Sequence, residues 1–432
     1  CNDGVDNNCN GQTDENCNTS TGNTITAASC SREDVQAAVS AAVDGDTVLI
    51  PSGVCTWTTK LSINKGIVVK GSNTEIRAET ANGNRNSLFS FGVPEGKSFR
   101  LTGLTLRQIT SGDSLSLITL YGSSKSWRID HNKFLVDSQL DASIYIAGPM
   151  QGLIDHNEMI GDNRILIMGN YENSESEWKK PLTLGTSQAV YIENNLMDGS
   201  SSSGNIIDSN AGARWVFRHN DVIGKYIECH GVQWGRGTFC YELYENDITD
   251  TADIWVPMSL RGGTGVIFNN RMHAFPSWAS FMVVYTDRSN RPGDYGLCDG
   301  TNPLDGNELS NGWPCLDQIG RSTDYSDSQI QPQASEPLYE WNNEQDGYNF
   351  DIAVHSSVAD YDHLRKGRDF FNDTPRPGYK PFTYPHPISN DCNQYPTLCD
   401  DGSGPSTTCN DNDNDGYGTT GSSGCTYSGI DC

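Results

Sequence analysis

The stretch Arg128-Ile-Asp-His-Asn-Lys-Phe134 contains the pattern that decides the fold, because close copies of it recur along the chain. Each copy places apolar residues on both sides of an Asn, and short alternating runs of this kind predict β-strands. The copies are, in order, Leu153-Ile-Asp-His-Asn-Glu-Met159, Tyr191-Ile-Glu-Asn-Asn-Leu-Met197, Val216-Phe-Arg-His-Asn-Asp-Val222, Leu243-Tyr-Glu-Asn-Asp-Ile248, Ile267-Phe-Asn-Asn-Arg-Met272 and, after a long excursion, Leu338-Tyr-Glu-Trp-Asn-Asn343.

The repeated Asn residues are spaced at close to 25 positions. The differences between Asn132, Asn157, Asn195, Asn220, Asn246 and Asn270 are 25, 38, 25, 26 and 24. The value of 38 indicates one repeat with an insertion around residues 171–184. A fixed period of this length predicts a coil of stacked repeats with three faces of parallel strands. We expect each Asn to adopt the left-handed backbone of a tight bend and to bond to the Asn of the next repeat.

The repeats resemble the right-handed parallel β-helix family over about residues 45–350. The resemblance implies an all-β solenoid in which the apolar residues beside each Asn form interior columns. One helix is predicted over residues 31–43, because Val35, Ala38 and Val39 recur at helical spacing after Ser31. We expect this helix to cap the open end of the coil and to cover a sheet edge.

Two segments depart from the repeats. The excursion over about 273–337 is long enough to predict a covering or functional loop, and the Pro- and aromatic-rich residues 362–387 predict a strap on the outside of the coil. The predicted organisation is an acidic calcium-binding half-module over 1–17, a linker and capping helix over 18–44, the coil with its loop and strap over 45–387, a linker over 388–408 and a second calcium-binding half-module over 409–432.

The charge and cysteine content limit the compartment and the partners. A net charge of −26 argues against binding to nucleic acid or to an anionic membrane, and no apolar run is long enough to predict a membrane span. The 14 cysteines include no C-x-x-C pair and predict local disulfides in an oxidising, extracellular or cell-surface location. The neighbouring pairs are Cys30 and Cys55, Cys229 and Cys240, Cys298 and Cys315, Cys392 and Cys399, and Cys409 and Cys425.

Both ends of the chain carry oxygen ligands at alternating positions. Near the C-terminus, the run from Asp411 to Tyr417 matches the first seven positions of an EF-hand loop, although Ser422 stands where the twelfth-position Glu belongs. The predicted ligands there are the side chains of Asp411, Asp413 and Asp415 and the carbonyl of Tyr417. At the other end, the predicted ligands are Asp6, Asn8, Asn10, Gln12 and Asp14.

These ends resemble the two halves of the MopE-type metal-binding repeat, and the C-terminal one also resembles thrombospondin type 3 calcium repeats. Oxygen ligands without histidine favour Ca²⁺ over copper. The alternative is an acidic tail without a specific metal. Because the halves lie at opposite ends in reversed order, they predict either end-to-end self-association, as a tandem array or filament, or a chain simply cut at that point.

No motif identifies a catalytic site. Seven polar residues would come near one another if the repeats align, although each is also explained as a solvent-facing turn residue. They are Asp208, His230, Trp234, Arg236, Asp250, Asp253 and Arg261. His131 and His156 take the same position in successive repeats, where they either share a metal or form a solvated stack.

Two classes of function follow. The first is a secreted, calcium-stabilised structural or adhesive protein, and it is favoured because no catalytic constellation stands out. The second uses the side of the coil on an extracellular polysaccharide, as a lyase, a glycoside hydrolase or a non-catalytic carbohydrate-binding module. Polysaccharide hydrolysis requires paired carboxylates, and lyases use a cation to acidify the substrate.

Overall fold

The computed structural model describes residues 22–79, 87–109, 116–137, 142–170, 178–200, 204–232, 235–251, 254, 256–276, 279–280, 282–284, 293–298, 300–305, 315–323, 333–354, 364–392 and 394–399. Both predicted calcium-binding stretches lie outside the described residues. All nine predicted ligands, from Asp6 to Asp14 and from Asp411 to Tyr417, therefore stay predictions.

Two α-helices, one 3₁₀ helix (Gly293–Tyr295) and 33 β-strands make up the described elements. The helices are α1 (Arg32–Ala41) and α2 (Pro387–Asn390). The strands are β1 (Thr24–Thr26), β2 (Thr47–Ile50), β3 (Gly53–Trp57), β4 (Leu61–Ile63), β5 (Val68–Ala78), β6 (Phe89–Val93), β7 (Phe99–Gln108), β8 (Ser116–Gly122), β9 (Trp127–Asp130), β10 (Lys133–Val136), β11 (Ala142–Ala147), β12 (Gly152–Asp155), β13 (Glu158–Gly161), β14 (Ile165–Met168), β15 (Val190–Glu193), β16 (Leu196–Asp198), β17 (Asn205–Asn210), β18 (Arg214–Arg218), β19 (Asp221–Ile223), β20 (Tyr226–Cys229), β21 (Cys240–Tyr244), β22 (Asp247–Thr249), β23 (Met258–Leu260), β24 (Thr264–Phe268), β25 (Arg271–His273), β26 (Met282–Val284), β27 (Arg321–Thr323), β28 (Gln333–Ser335), β29 (Leu338–Trp341), β30 (Glu344–Gln345), β31 (Tyr348–Asn349), β32 (Ile352–Val354) and β33 (Phe370–Phe371).

The strands are arranged in three columns of parallel neighbours, and the chain visits the columns in turn. The first column is β2–β5–β7–β9–β12–β15–β18–β21–β24–β29–β33, and the second is β3–β5–β7–β10–β13–β16–β19–β22–β25–β30. The third is a separate ten-stranded sheet, β4–β6–β8–β11–β14–β17–β20–β23–β26–β32. The long strands β5 and β7 belong to both of the first two columns. The protein is therefore strand-rich and built on parallel sheets, as the repeats predict.

Each column contributes one row of apolar side chains to the core. Strands alternate their side chains between two faces, so equivalent positions of successive repeats point inward together. The first column buries Ile129, Ile154, Ile192, Phe217, Leu243 and Ile267, the second Phe134, Met159, Met197, Val222, Ile248 and Met272, and the third Ile144, Ile165, Ile207, Ile227 and Met258.

The repeated Asn residues form the expected ladder between the first and second columns. The Asn195 backbone N–H and side-chain Nδ2 both donate to Asn220 Oδ1, each at 3.0 Å. The same contacts link every pair from Asn132 to Asn343, so the late copy after the excursion continues the ladder. Because these amides are buried, each bond satisfies groups that water cannot reach.

The expectation that the ladder Asn itself adopts the left-handed conformation is wrong. The residue before it does so, as His131 (φ 51°), Asn194 (φ 56°) and Glu245 (φ 56°) show. This preceding residue makes the bend and points its side chain outward. The ladder Asn therefore takes no part in the bend. Its side-chain amide points along the stack towards the Asn of the neighbouring repeat.

The helix near the N-terminus agrees with its prediction. Ser31 caps α1 by accepting a hydrogen bond from the backbone N–H of Asp34 at 3.2 Å. Val35 and Val39 on the helix are buried against the first strands. Lys65 then donates to the carbonyl oxygens of Val39 and Ala42 near the end of α1, which satisfies groups that a helix terminus leaves open.

A segment near the C-terminal end of the described residues packs against the outer face of the first column. We call it the strap below, and it comprises residues 376–392 and 394–399. Ile388 and Leu398 are buried beside Tyr191 and Val216. The Arg218 guanidinium donates to the Phe382 and Thr383 carbonyl oxygens, each at 2.9 Å. The strap therefore covers a face of the sheet with both apolar and polar contacts.

Three of the five neighbouring cysteine pairs form disulfides: Cys30–Cys55, Cys298–Cys315 and Cys392–Cys399. Disulfides are typical of an oxidising compartment. The grouping of Cys229 with Cys240 as a bonded pair is wrong, because both are buried free thiols. Cys229 ends a third-column strand and Cys240 begins a first-column strand, so their closeness in sequence does not bring them together. Cys409 and Cys425 lie outside the described residues.

Candidate functional site

A cluster of ionisable side chains lies on the outer face of the third column. In β17 and β20 the apolar residues Ile207 and Ile227 point into the core, so the alternating residues Asp208 and Glu228 point outward. These two carboxylates are register partners on adjacent parallel strands. Strand alternation and the stacking of repeats therefore bring two acids from distant sequence positions side by side.

His230 and Arg261 complete the cluster, because they directly follow the ends of β20 and β23. His230 Nε2 lies 3.1 Å from Asp208 Oδ1. Arg261 Nη1 donates to His230 Nδ1 at 3.2 Å, and Arg261 Nη2 forms an ion pair with Glu228. The four side chains form one continuous polar chain from Asp208 through His230 and Arg261 to Glu228, which we call the flank cluster (Asp208, Glu228, His230 and Arg261).

Further polar groups surround the flank cluster. Asn205 Nδ2 donates to Glu228 Oε2 at 2.9 Å, and the Tyr226 hydroxyl lies 3.5 Å from the same oxygen. Arg164 Nη1 lies 3.9 Å from Asp208 Oδ2. His230 keeps 23% of its side chain exposed and Asp208 keeps 14%, so the cluster is reachable from solvent.

The environment holds Asp208 ionised. Burial raises its pKa, but the hydrogen bond from His230 and the charge of Arg164 outweigh burial, and the net pKa is lowered. Burial and the nearby Glu228 charge raise the pKa of Tyr226 to about 12. At neutral pH, Asp208 therefore accepts hydrogen bonds and the Tyr226 hydroxyl donates them.

The contacts also fix the proton on His230. A guanidinium only donates, so the Nδ1 atom that faces Arg261 carries no hydrogen, and Nε2 carries the hydrogen towards Asp208. Both ring nitrogens are thus engaged. With both nitrogens occupied inside the cluster, the His230 imidazole positions Asp208 and Arg261 and is not poised for proton transfer to a substrate.

The structure brings together three of the seven residues singled out in the sequence: Asp208, His230 and Arg261. Arg236 is instead fully buried and donates to both oxygens of Asp317 at 2.7 Å. Asp250 accepts from the Ile254 backbone N–H at 3.2 Å, away from the cluster. Trp234 and Asp253 lie outside the described residues.

Glu228 and Tyr226 were missed in the sequence, although a signal for them exists. The run Tyr226-Ile-Glu-Cys229 alternates around the inward Ile227, which predicts that Tyr226 and Glu228 share the outer face. The register that places Glu228 beside Asp208 was not readable, because the pairing of β17 with β20 shifts between Asn205 and Ile207 and so breaks the regular spacing of the repeats.

The two histidines of successive repeats form a stack at the corner between the first and second columns. The rings of His131 and His156 are 5.1 Å apart and inclined by 2°. Their Nδ1 atoms lie 2.8 Å from Asp130 Oδ2 and 2.7 Å from Asp155 Oδ2, respectively. Both side chains are nearly half exposed, which agrees with the solvated stack.

Three groups of described side chains have the spacing to hold a metal ion, but one of them, Cys298, Asp305 and Cys315, has both cysteines in a disulfide. Ligand atoms of Asp208, Glu228 and His230 lie within 4.8 Å of one another, and so do those of Glu340, Asp351 and Asp373. In the second group, burial together with the charges of the two aspartates raises the pKa of Glu340 to about 7. The first set mixes nitrogen and oxygen ligands, whereas the second is all oxygen and of the kind Ca²⁺ prefers.

The chain matches no protein-family model and no curated protein sequence. Within the described ranges, no helix combines the length and the apolar composition needed to cross a bilayer.

Proposed function

We propose that this is a secreted, extracellular protein that binds a polysaccharide along the outer face of its third column. One observation carries the proposal: the flank cluster presents ionised carboxylate, imidazole and guanidinium groups at a partly exposed surface of parallel strands. Saccharide hydroxyls both donate and accept hydrogen bonds, and such convergent polar groups are what a binding surface requires. An adhesive role follows if the polysaccharide belongs to a matrix or a cell surface.

The proposal includes a right-handed parallel β-helix as the architecture. Support comes from the continuous Asn ladder, from the three columns that the chain visits in a fixed order, and from the strong preference of parallel crossovers for the right-handed sense. A coil of this kind offers long, regular outer faces, on which successive strands can contact successive sugars of a polymer.

Binding without turnover is the form of the proposal that the contacts favour. Hydrolysis needs a carboxylic acid that keeps its proton near neutral pH, whereas the pKa of Asp208 is lowered. The imidazole of His230 is engaged at both nitrogens. These features suit hydrogen bonding to a polysaccharide better than acid–base chemistry.

Affinity electrophoresis against a panel of neutral, carboxylated and sulfated polysaccharides tests the proposal. We expect retardation by at least one polymer, and we expect the variants Asp208→Asn and His230→Ala to weaken that binding about tenfold. His273→Ala is the matched control, because His273 forms a similar ion pair with Asp247 at 2.7 Å but lies on the second column. If the flank variants and the control change the retardation equally, the polysaccharide does not bind at the flank cluster.

The same samples separate binding from catalysis. New absorbance at 235 nm indicates the unsaturated product of a lyase, and new reducing ends indicate hydrolysis. If either signal appears, is lost in His230→Ala and is kept in His273→Ala, the protein is an enzyme that uses this cluster and not only a binding protein.

A calcium-stabilised structural protein is the second candidate, and the alternating ligands at the two ends of the sequence favour it. We propose Ca²⁺ at Asp411, Asp413, Asp415 and Tyr417, and at Asp6, Asn8, Asn10, Gln12 and Asp14. Because ligands that bind only the folded state stabilise it, calcium should raise the melting temperature and EGTA should lower it. Sedimentation in the same two buffers tests self-association, and particles indifferent to EGTA would contradict the structural role of calcium.

A further inference from the structure

A basic groove lies at the corner where third-column strands lead back to the first column. It has a volume of about 210 Å³, and four cationic residues line it: Lys125, Lys179, Lys180 and Arg214. Among the described residues that line the groove, none is acidic. This is unexpected in a chain whose net charge is −26, since a random surface of such a protein is dominated by carboxylates.

The cations are held in place by the fold. Arg214 donates to the carbonyl oxygens of Pro181 (2.8 Å) and Lys179 (2.5 Å), and its guanidinium lies 4.3 Å from the centre of the Phe239 ring. Lys125 Nζ donates to the Pro149 carbonyl at 3.0 Å. These contacts anchor two positive charges through neutral partners, so the contacts leave the charge of the groove uncompensated.

The other two lysines differ in their surroundings. Lys180 lies 3.4 Å from Glu336, which offsets part of its charge. Lys179 is half-buried, and its ammonium group has no ionic partner in the part of the chain that the structure describes. Half-buried cations with low local screening attract an anion more strongly than exposed ones do.

The groove and the flank cluster are joined by one strand. Strand β17 carries Asp208, and the chain that leaves it supplies Gly212 and then Arg214 to the groove. A polymer bound at Asp208 and His230 therefore meets the cations by extending around this corner.

We infer that the basic groove is a subsite for an anionic group of the bound polysaccharide, a carboxylate or a sulfate. This inference rests on the proposed function and adds a substrate class to it: an acidic polysaccharide and not a neutral one. The flank cluster supplies hydrogen bonds to hydroxyl groups, while the groove selects for charge. A neutral polymer would offer no counter-charge to Lys125, Lys179 and Arg214 and would gain no electrostatic attraction.

The test compares polygalacturonate, dextran sulfate and dextran as carboxylated, sulfated and neutral probes at low and high salt. We expect the wild-type protein to bind one acidic polymer at least tenfold more tightly than dextran at low salt, and the preference to shrink at high salt. The double variant Lys125→Gln/Lys179→Gln should weaken acidic binding about tenfold. Lys60→Gln/Lys70→Gln is the matched control, because both lysines are exposed and lie outside the groove.

A second measurement does not depend on variants. Lys125 and Lys179 of the wild-type protein should be protected from acetylation when the acidic polymer is bound, and Lys60 and Lys70 should not, as peptide mass spectrometry detects. Whether polygalacturonate or dextran sulfate gives the protection distinguishes carboxylate from sulfate.

The outcomes separate this inference from the proposed function. Binding to dextran alone, lost in His230→Ala, would overturn the anionic subsite and leave polysaccharide binding intact. Acidic binding that the groove variants do not weaken, or acetylation without protection, would overturn the subsite in the same way. A protein that binds none of the polymers of either panel contradicts both proposals.

Discussion

The outer faces of the first and third columns both carry arginine–carboxylate pairs, but the strap covers those of the first column, whereas His230 and Asp208 on the third stay partly exposed. Under the strap, Arg128 pairs with Asp155 at 2.7 Å and Arg218 pairs with Glu193 at 2.6 Å, with all four side chains fully buried. On the third column, Arg261 pairs with Glu228 beside the partly exposed His230.

The difference lies in where the remaining donors of each guanidinium go. Arg218 gives its extra hydrogen bonds to two strap carbonyls and to the Tyr244 hydroxyl at 2.9 Å, and Arg128 gives one to the Leu398 carbonyl at 2.8 Å. The strap carbonyls thus accept hydrogen bonds from the buried first-column arginines. These contacts stabilise the strap on the sheet. The third-column set is instead bonded to further side chains, such as Asn205 and Arg164, and His230 stays partly exposed, which suits an exchangeable ligand.

The largest expected effect comes from breaking a pair under the strap. Arg218→Ala leaves the Glu193 carboxylate buried without its cation and frees two strap carbonyls. Truncating one partner of a buried ion pair costs about 3–5 kcal/mol, so the free energy of unfolding in urea should fall by that amount.

Arg107→Ala is the control for this prediction, because Arg107 pairs with Glu75 at 3.1 Å while about a third of its side chain is exposed. Exposed pairs contribute about 1 kcal/mol or less. Equal losses in Arg218→Ala and Arg107→Ala would mean that the strap does not isolate the first-column pairs from water.

The next effect concerns the Asn ladder. Asn220→Ala removes the acceptor for the Asn195 backbone N–H and the donor to the Ile192 carbonyl at 2.9 Å. Each buried group left unpaired costs about 1–3 kcal/mol, and we expect a total loss of about 3 kcal/mol in urea unfolding. Asn269→Gly should cost less than 1 kcal/mol, since Asn269 is an exposed residue with φ 55°, a conformation that glycine adopts without strain.

The ladder and the strap mark the limit of what the sequence predicts. The ladder was predictable because one residue type recurs at a fixed spacing. The left-handed corner was assigned to the wrong residue because His, Asn and Glu occupy it in different repeats, so its conformation comes from the stacked neighbours and not from local preference.

The strap contacts had no sequence signal at all. Arg218 and Phe382 are 164 positions apart, and Arg128 and Leu398 are 270 apart. Residues 362–387 predicted a strap from composition, but no pattern in that segment specifies which carbonyl meets which guanidinium. The flank cluster falls between these cases: Asp208, His230 and Arg261 were singled out, but Glu228 was not.

A third prediction uses pH to probe the covered face. Burial raises the pKa of Glu242 from its ordinary value of 4.5 to about 6, against hydrogen bonds from Tyr379 and the Gly185 backbone. The folded state therefore binds more protons than the unfolded state between these two values. Stability should fall by roughly 2 kcal/mol as pH rises through that window and stay level above it.

Glu242→Gln isolates this contribution. The glutamine cannot ionise, so the difference in unfolding free energy between the wild-type protein and the variant should vary between pH 4.5 and 6 and be constant above pH 6. A difference that is constant over the whole range would show that Glu242 is not shielded from water by the strap.

The smallest expected effect on stability is at the flank cluster. It is the strictest test of the difference between the outer faces of the first and third columns. His230→Ala removes a side chain that is about one-quarter exposed, and Arg164 remains near Asp208 at 3.9 Å. The free energy of unfolding should therefore change by about 1 kcal/mol or less, while polysaccharide binding falls about tenfold. The same protein sample should be used for urea unfolding and for affinity electrophoresis. A loss of several kcal/mol would place His230 with the structural pairs of the first column, because a side chain that holds the fold together is not available to a ligand.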